Sequence, residues 1–145
     1  MKWLITGATG KLGAQIVQQL SERVGVENVA VSVRNVEKAA SLAAQGIDVR
    51  RGDFDQPETL TQAFQDIDRL LIISTDGEEA IRIRQHQTAV TAAKEAGVKL
   101  IGYTSIANAA HSTNGLARTH RVTEEAIQAT GIPYVFFRNN WYLEN

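Results

Sequence analysis

Residues 6–13 read TGATGKLG, and this short stretch decides the fold. It follows an apolar run at residues 2–6 and precedes a segment whose apolar residues recur with helical spacing. Gly7, Gly10 and Gly13 therefore lie in a turn between a strand and a helix, as in glycine-rich turns that hold a pyrophosphate. Gly10 has no Cβ, so a phosphate can approach the free N–H groups of the helix N-terminus. The stretch predicts the first strand–helix unit of a dinucleotide-binding sheet.

The rest of the chain repeats this alternation of β-rich runs and helical patterns. Further strands are expected at about residues 29–33, 48–51, 70–73, 100–104 and 134–138; helices begin near Val36 and Pro57 and span about residues 79–96 and 116–130. Strands that alternate with helices predict a parallel sheet, because parallel neighbours need crossover connections. We therefore expect a three-layer, doubly wound α/β (Rossmann) domain over residues 1–145, with six strands in the order 3-2-1-4-5-6 and helices on both faces. Its ligand is expected where strands one and four diverge.

The composition limits the classes of function. The formal net charge of −1 argues against nucleic acid and anionic membranes as partners, and no apolar run is long enough to span a bilayer. The lack of cysteine excludes disulfides, thiolate zinc sites and cysteine nucleophiles, and His86 and His111 lack partners at metal-ligand spacing. We therefore expect no metal and a cytoplasmic location.

The end of the second strand indicates which dinucleotide binds. It reads Val33-Arg34-Asn35, without the carboxylate that NAD-binding sheets place there for the ribose 2′-hydroxyl. Arg34 instead suits a 2′-phosphate, since a guanidinium can make a bidentate, charge-assisted contact with it. This favours NADPH as the cofactor; the alternative is a solvated surface arginine.

Four segments together resemble the NmrA-like branch of the atypical short-chain dehydrogenases, and within it the bacterial NADPH-dependent quinone oxidoreductases. They are TGATGKLG at residues 6–13, VRN at 33–35, YTS at 103–105 and RNNWYLEN at 138–145. The resemblance implies a set of cofactor-binding residues: Gly7, Ala8, Thr9, Gly10, Lys11 and Leu12 in the turn, Arg34, Asp53 near the adenine, and Ser74 and Thr75 after strand four. It also implies that Arg138, Asn139, Asn140, Trp141, Tyr142 and Leu143 lie beside the nicotinamide end.

The chain departs from the usual catalytic pattern of short-chain dehydrogenases. The place of their Tyr-x-x-x-Lys dyad holds His120 and Glu124, which share a helix face because they are four residues apart. The carboxylate is expected to raise the pKa of the histidine and to orient its ring, which would make His120 a proton donor. The alternative is an exposed pair without a catalytic role. Ser105, at the end of strand five, is either an active-site hydroxyl or a capping group.

A second departure concerns length, because members of this family usually continue for about as long again. The substrate lobe that follows in the family is absent from residues 1–145. We expect weaker cofactor binding and low activity from this length of chain, or a homodimer formed through an apolar surface around Trp141 and Tyr142. By the same resemblance, the fourth helix is expected to form a dimer surface. Its charge pattern is a separate observation: Arg82, Arg84, His86 and Lys94 alternate with apolar residues, so they are interpreted as a solvated face.

Two functions from different classes are consistent with this sequence. One is an oxidoreductase that passes a hydride from NADPH to a quinone or a similar small electrophile. The other is a non-catalytic, NADP(H)-binding redox sensor that acts through a partner protein. The missing dyad favours the sensor, and the match to the quinone-reducing branch favours the enzyme.

Overall fold

The computed structural model describes residues 1–75, 77–106 and 115–139. The strands are β1 (Trp3–Thr6), β2 (Val29–Val33), β3 (Asp48–Arg51), β4 (Arg69–Ile72), β5 (Leu100–Ile106) and β6 (Tyr134–Asn139). The α-helices are α1 (Lys11–Val24), α2 (Ala40–Ala44), α3 (Pro57–Ala63), α4 (Glu79–Ala96) and α5 (Gly115–Ala129). Short 3₁₀ helices at Val26–Asn28 and Val36–Ala39 precede β2 and α2.

The six strands form one parallel sheet in the order β3-β2-β1-β4-β5-β6, which confirms the predicted topology. Ile5 of β1 lies opposite Val31 on one side and Leu71 on the other. From this central strand the chain first builds outward through β2 and β3 and then returns to build β4, β5 and β6 on the other side. The connections therefore diverge at the carboxyl ends of β1 and β4, which opens a crevice there.

Two apolar cores lie on opposite faces of the sheet. All five residues of β2 are buried, as is typical of a strand covered by helices on both sides. On one face, α3, α4 and α5 pack against alternate strand residues such as Leu4, Leu70 and Ile101. On the other face, α1 and the segment around Ala39 pack against Ile5 and its neighbours.

The second helix differs from its predicted form. The sequence predicts one helix that begins near Val36. The structure instead has a 3₁₀ turn at Val36–Ala39 followed by the five-residue helix α2. Ala39 is buried, but Ala40 and Ala43 are exposed and Leu42 packs against the core. The tighter 3₁₀ turn has about three residues per turn, so it shifts which later positions face the sheet.

The interpretation of α4 as a helix with a solvated basic face is wrong for two of its four residues. Arg84 and Lys94 are exposed, but Arg82 is 8% exposed and His86 is fully buried. The helix packs between α3 and α5, so a polar side chain on either flank is enclosed. Both buried side chains bind the backbone of Thr75, which replaces the hydrogen bonds they would make with water.

An apolar groove of about 340 Å³ crosses the sheet on the α1 side. Leu71, Leu100, Val135 and Phe137 form much of its floor. Val135 and Phe137 remain 44% and 51% exposed. The apolar surface expected around Trp141 and Tyr142 lies outside the described residues. In the part of the chain that the structure describes, every helix is too short or too polar to cross a membrane.

Candidate functional site

The turn between β1 and α1 requires glycine at two of its three glycine positions. Gly7 has a φ of +64°, a conformation that residues with a Cβ rarely adopt. Its carbonyl oxygen accepts a hydrogen bond from the N–H of Gly10 (3.1 Å), which closes the turn. A Cβ on Gly13 would lie only 2.1 Å from the same oxygen. Gly7 and Gly13 are therefore demanded by the fold itself.

Gly10 is different, because neither its backbone conformation nor its packing against the described residues requires glycine. Its φ of −78° suits any residue, and a Cβ there would meet only the Gly7 oxygen, at an ordinary contact distance of 3.4 Å. It is the N-cap residue of α1, and no side chain forms a capping hydrogen bond at this end of the helix among the described residues. The turn thus leaves both space and N–H donors for an anion at the positive end of the α1 dipole.

A cleft of about 420 Å³ opens beside this turn at the carboxyl ends of β1, β4 and β5. Of the predicted site residues, Gly7, Gly10, Lys11, Leu12, Ser74, Thr75, Ser105 and His120 line it. A second groove, of about 280 Å³, is lined by Thr9, Arg34 and Asp53 and shares Gly7, Phe54 and Thr75 with the first. The two form one channel from the end of β2 to the end of β5. Ala8 is buried behind the turn.

Arg34 lies at one end of this channel and is free to bind an anion. It is exposed, directly follows β2, and makes no hydrogen bond or ion pair with any other residue the structure describes. The nearby acidic residues are engaged elsewhere. The Asp53 carboxylate accepts the N–H of Asp55 (2.9 Å), and the Asp55 carboxylate pairs with Arg84 (2.9 Å). Asp53 thus stabilises its own turn, as expected of a helix-start residue, while also lining the groove.

Hydroxyl groups and α4 side chains hold the loop after β4 against the middle of the channel. The Thr6 hydroxyl accepts the N–H of Ile73 (3.0 Å), and the Thr104 hydroxyl accepts the N–H of Ser74 (2.9 Å). The carbonyl of Thr75 accepts from Arg82 Nε (2.5 Å), as described above for α4. Ser74 and Thr75 are therefore fixed on the wall of the cleft by backbone contacts rather than left mobile.

His120 stands at the other end of the channel as a buried, neutral imidazole. The ring is 1% exposed, and its Nδ1 lies 2.6 Å from the Tyr103 hydroxyl. Burial and, to a smaller extent, the Arg82 charge lower its pKa to about 4, with Glu124 opposing both. Its Nε2 has no hydrogen-bond partner among the described residues. Glu124 raises this pKa, as expected, but desolvation outweighs the carboxylate, so the net shift is downward.

Glu124 serves Ser105 and Arg138 rather than His120. The Ser105 hydroxyl donates to Glu124 Oε2 (2.6 Å), and the Arg138 guanidinium donates to both carboxylate oxygens (3.2 and 2.9 Å). Glu124 and His120 are both buried, so the alternative of an exposed helix pair is wrong. Because the Ser105 proton is directed to Glu124, the serine presents only lone pairs to the cleft.

With this geometry described, comparison with known proteins identifies the family. A family model described as NAD(P)H-binding matches residues 7–145, beginning at the first glycine of the turn. The chain belongs to this NAD(P)H-binding family.

Individual relatives of the NAD(P)H-binding chain are reductases of the predicted branch. It is 45% identical over 141 residues to quinone oxidoreductase 2 of Escherichia coli, an alignment covering 97% of the chain and 49% of that protein. It is 32% identical over 151 residues to an NmrA-like family domain-containing oxidoreductase of Aspergillus flavus, with 99% and 49% covered. These matches confirm the NmrA-like resemblance. The chain spans about half the length of the curated relatives it matches.

A solved structure agrees with the fold and the sequence match. The crystal structure of Citrobacter sp. triphenylmethane reductase complexed with NADP(H) superposes with a TM-score of 0.93 and 46% identity. The match covers 96% of this NAD(P)H-binding chain and 49% of the Citrobacter chain. The matched part of that reductase therefore has the same fold as this chain.

The structure also adds to the candidate site three residues that were not predicted as site residues. Phe54 lines both parts of the channel, and Tyr103 and His86 form the buried support of His120. The burial of His86 could have been predicted from helical spacing. Arg82, His86, Ala89 and Ala93 share one face of α4, and the two alanines belong to the core. Of the residues expected beside the nicotinamide, Asn139 ends β6, and Asn140, Trp141, Tyr142 and Leu143 lie outside the described residues.

Proposed function

We propose that this chain binds NADPH along the channel and forms the cofactor-binding domain of a reductase that passes a hydride to a quinone or a similar small electrophile. The observation that carries the proposal is the channel itself. It runs from Arg34, just after β2, over the glycine turn to the His120 ring of α5 beside the end of β5. Among the described residues, the Arg34 guanidinium and His120 Nε2 have no hydrogen-bond partner. The relatives support the chemistry, since one is named a quinone oxidoreductase and one is a reductase solved with NADP(H).

The residues of the channel fit the parts of NADPH in order. Arg34 is placed for the 2′-phosphate, with Asp53 on the adenosine side. Gly7, Gly10 and Lys11 are placed for the pyrophosphate, where Gly10 leaves the space that a Cβ would take. The nicotinamide end then lies toward Ser74, Thr75, Ser105 and His120. We also assign residues 138–143 to this end, with Arg138 held by its pair with Glu124.

The protein's own part in the reaction is to bind and orient. NADPH, when bound, supplies a hydride, which together with one proton from solvent reduces a quinone to a hydroquinone and leaves NADP⁺. The turn and Arg34 would hold the dinucleotide by its phosphates and so orient it toward the end of β5. There the chain offers a neutral imidazole and the lone pairs of Ser105 instead of a Tyr-x-x-x-Lys dyad.

The named relatives are reductases, so the alternative of a non-catalytic sensor is not favoured. The expected partner is therefore a small electron acceptor, and we expect the reaction to take place in the cytoplasm. A homodimer also stays a prediction, which sedimentation velocity of the purified chain would test.

Calorimetry and absorbance together test this function. The purified chain is titrated with NADPH, then mixed with NADPH and menadione while the absorbance of the reduced nicotinamide is followed. We expect heat of binding, and menadione-dependent oxidation at a low rate. Absence of heat and of any shift in melting temperature would overturn the proposal. Tight binding without oxidation would restore the sensor.

A further inference from the structure

We propose that Tyr103 and His86 are positioning residues that keep the single ring proton of His120 on Nε2, so that the cleft presents a neutral N–H donor to an oxygen of the electron acceptor. The assignment of the ring proton stands on the hydrogen bonds and the burial of these side chains. The assignment of its target rests on the proposed function. We call the three residues, His86, Tyr103 and His120, the buried triad.

A backbone N–H determines which atoms donate and which accept in the buried triad. The N–H of Thr75 can only donate, and it lies 2.9 Å from His86 Nε2. That nitrogen must therefore be the lone-pair nitrogen of the His86 ring. Since His86 is fully buried beside the Arg82 guanidinium, its ring is neutral, and its one proton is on Nδ1.

The proton on His86 Nδ1 in turn determines where the Tyr103 hydroxyl can donate. His86 Nδ1 has two neighbours, Thr123 Oγ1 at 3.0 Å and the Tyr103 hydroxyl oxygen at 3.3 Å. The Thr123 hydroxyl donates its own proton to the Thr119 carbonyl (2.8 Å), so its oxygen is free to accept from His86. Neither neighbour can donate to a nitrogen that already carries a proton. The Tyr103 proton is therefore directed away from His86.

His120 is where the Tyr103 proton is directed. The hydroxyl oxygen lies 2.6 Å from His120 Nδ1, the shorter of its two contacts with ring nitrogens. With the phenol as donor, Nδ1 of His120 is the lone-pair nitrogen, and the proton of the neutral ring is on Nε2. The reverse arrangement would turn the phenol proton toward the protonated nitrogen of His86.

This leaves a buried N–H whose acceptor is missing from the described protein. His120 is 1% exposed, its Nε2 is unpartnered among the described residues, and the ring lines the cleft with Ser74, Thr75 and Ser105. A buried N–H without a partner is destabilising unless a ligand or water satisfies it. An acceptor oxygen that gains negative charge as it is reduced is such a partner.

The charged groups around the ring keep this donor neutral. Arg82 and Glu124 face it from α4 and α5 with opposite effects, and burial dominates. Burial also raises the pKa of the Tyr103 hydroxyl, so the phenol keeps its proton and serves as a fixed donor. His120 therefore acts through a hydrogen bond and transfers no proton, as a neutral imidazole does when it polarises a carbonyl. The arrangement suits carbonyl-bearing acceptors such as quinones.

Nitrogen NMR of the ¹⁵N-labelled chain tests the ring-proton assignment without reference to activity. Long-range ¹H–¹⁵N correlation near neutral pH distinguishes protonated from lone-pair ring nitrogens, and His120→Gln and His111→Gln assign the signals. We expect protonated Nε2 in His120 and protonated Nδ1 in His86. Protonated Nδ1 in His120 would overturn the proposal, and so would a positively charged ring.

Substitution of the donor provides a second test. In Tyr103→Phe we expect the two His120 nitrogens to move toward averaged shifts, because nothing then selects a tautomer. We also expect kcat for menadione reduction to fall severalfold with the Kd for NADPH unchanged, because some of the His120 rings then have no proton on Nε2. Tyr134→Phe is the matched control, since its hydroxyl contacts only Gln128 among the described residues, and its values should equal those of the wild type.

The outcomes separate the two proposals. Wild-type shifts for His120 in Tyr103→Phe would overturn the role of Tyr103, and the wild-type spectrum alone decides the tautomer if that variant does not fold. If the wild-type chain oxidises no NADPH with any quinone, the proposed function fails, while the NMR result still decides the state of the buried triad.

Discussion

Arg34 is a cation that no described neighbour neutralises, so its charge is available to contribute to the affinity for an anionic ligand. We expect Arg34→Ala to weaken NADPH binding by about tenfold to a hundredfold, the range for losing a hydrogen bond to a charged group. The affinity for NADH should stay nearly unchanged, because NADH has no 2′-phosphate. Calorimetric titration of both cofactors measures the difference.

Arg23→Ala is the matched control for Arg34, since Arg23 is an exposed arginine in the last turn of α1, away from the glycine turn. Equal loss of NADPH and NADH affinity in Arg34→Ala would contradict the assignment of the 2′-phosphate. So would an effect of the same size in Arg23→Ala.

His86 and His120 make the folded state sensitive to acid. Burial lowers their pKa values from 6.5 to about 3 and about 4, so the unfolded state takes up protons first as the pH falls. Their contribution to stability is complete above pH 6.5 and is lost as the pH falls toward the folded values. We expect the free energy of unfolding to drop by about 1.4 kcal/mol per pH unit for each ring between about pH 6 and pH 5.

Urea denaturation at a series of pH values measures this slope. His120→Gln removes one of the two titrating rings, so the slope over that interval should fall to about half. A slope that is the same in the variant and in the wild type would show that these rings do not control the acid sensitivity.

At the scale of elements, the β1–α1 turn contains a glycine that the fold requires, Gly13, and one that only ligand binding is expected to require, Gly10. Gly13→Ala places a Cβ 2.1 Å from the Gly7 oxygen, and we expect a loss of stability of about 2 kcal/mol from the forced displacement. Gly10→Ala has no such clash, so its stability should stay within about 1 kcal/mol of the wild type. Its NADPH affinity should nevertheless fall at least about tenfold, because the methyl group occupies the phosphate position.

Urea midpoints and NADPH titrations of the two variants make this comparison. If Gly10→Ala were as unstable as Gly13→Ala, Gly10 would be a requirement of the fold. If it bound NADPH normally, the turn would not be the pyrophosphate site.

Elements that are defined by a local sequence pattern could be predicted from the sequence. Most strands are largely apolar runs between glycine or polar boundaries, so most of their bounds could be predicted, although β3 (Asp48–Arg51) has only one apolar residue. The alternation of strands and helices predicted their order. The glycine turn and Arg34 were found because each is defined by its own strand end. Helix α4 was misinterpreted because its polar residues gain partners only when it packs between two other helices.

The end of the candidate site at His120 was harder to predict for the same reason. His86, Tyr103 and His120 belong to three different elements, and only the packing of α4 and α5 against β5 brings their polar atoms within 3.3 Å. The i,i+4 spacing of His120 and Glu124 is real, but each side chain contacts β5 separately, through Tyr103 and through Ser105. Helical spacing shows that two residues share a face, and it leaves open which strand residue each one contacts.

At the scale of the whole molecule, the channel lies across the two halves of the sheet, β1–β3 and β4–β6. Cofactor bound there contacts both halves and is lost on unfolding of either. We expect NADPH at a hundred times its Kd to raise the free energy of unfolding by about 2.7 kcal/mol. NADH at the same concentration should raise it less, and Arg34→Ala should remove most of the difference. Chemical denaturation with each cofactor measures this, and equal effects of NADPH and NADH on the wild type would contradict it.

The central position of β1 also has a consequence during synthesis on the ribosome. Trp3 pairs with Val29 on one side and with Arg69 on the other, so the first strand made receives its second neighbour only after nearly half of the chain has been translated. Until then one edge of β1 has unpaired N–H and C=O groups, which can pair with a strand of another nascent chain. Translational pausing between β2 and β4 is therefore expected to increase aggregation more than pausing after β4.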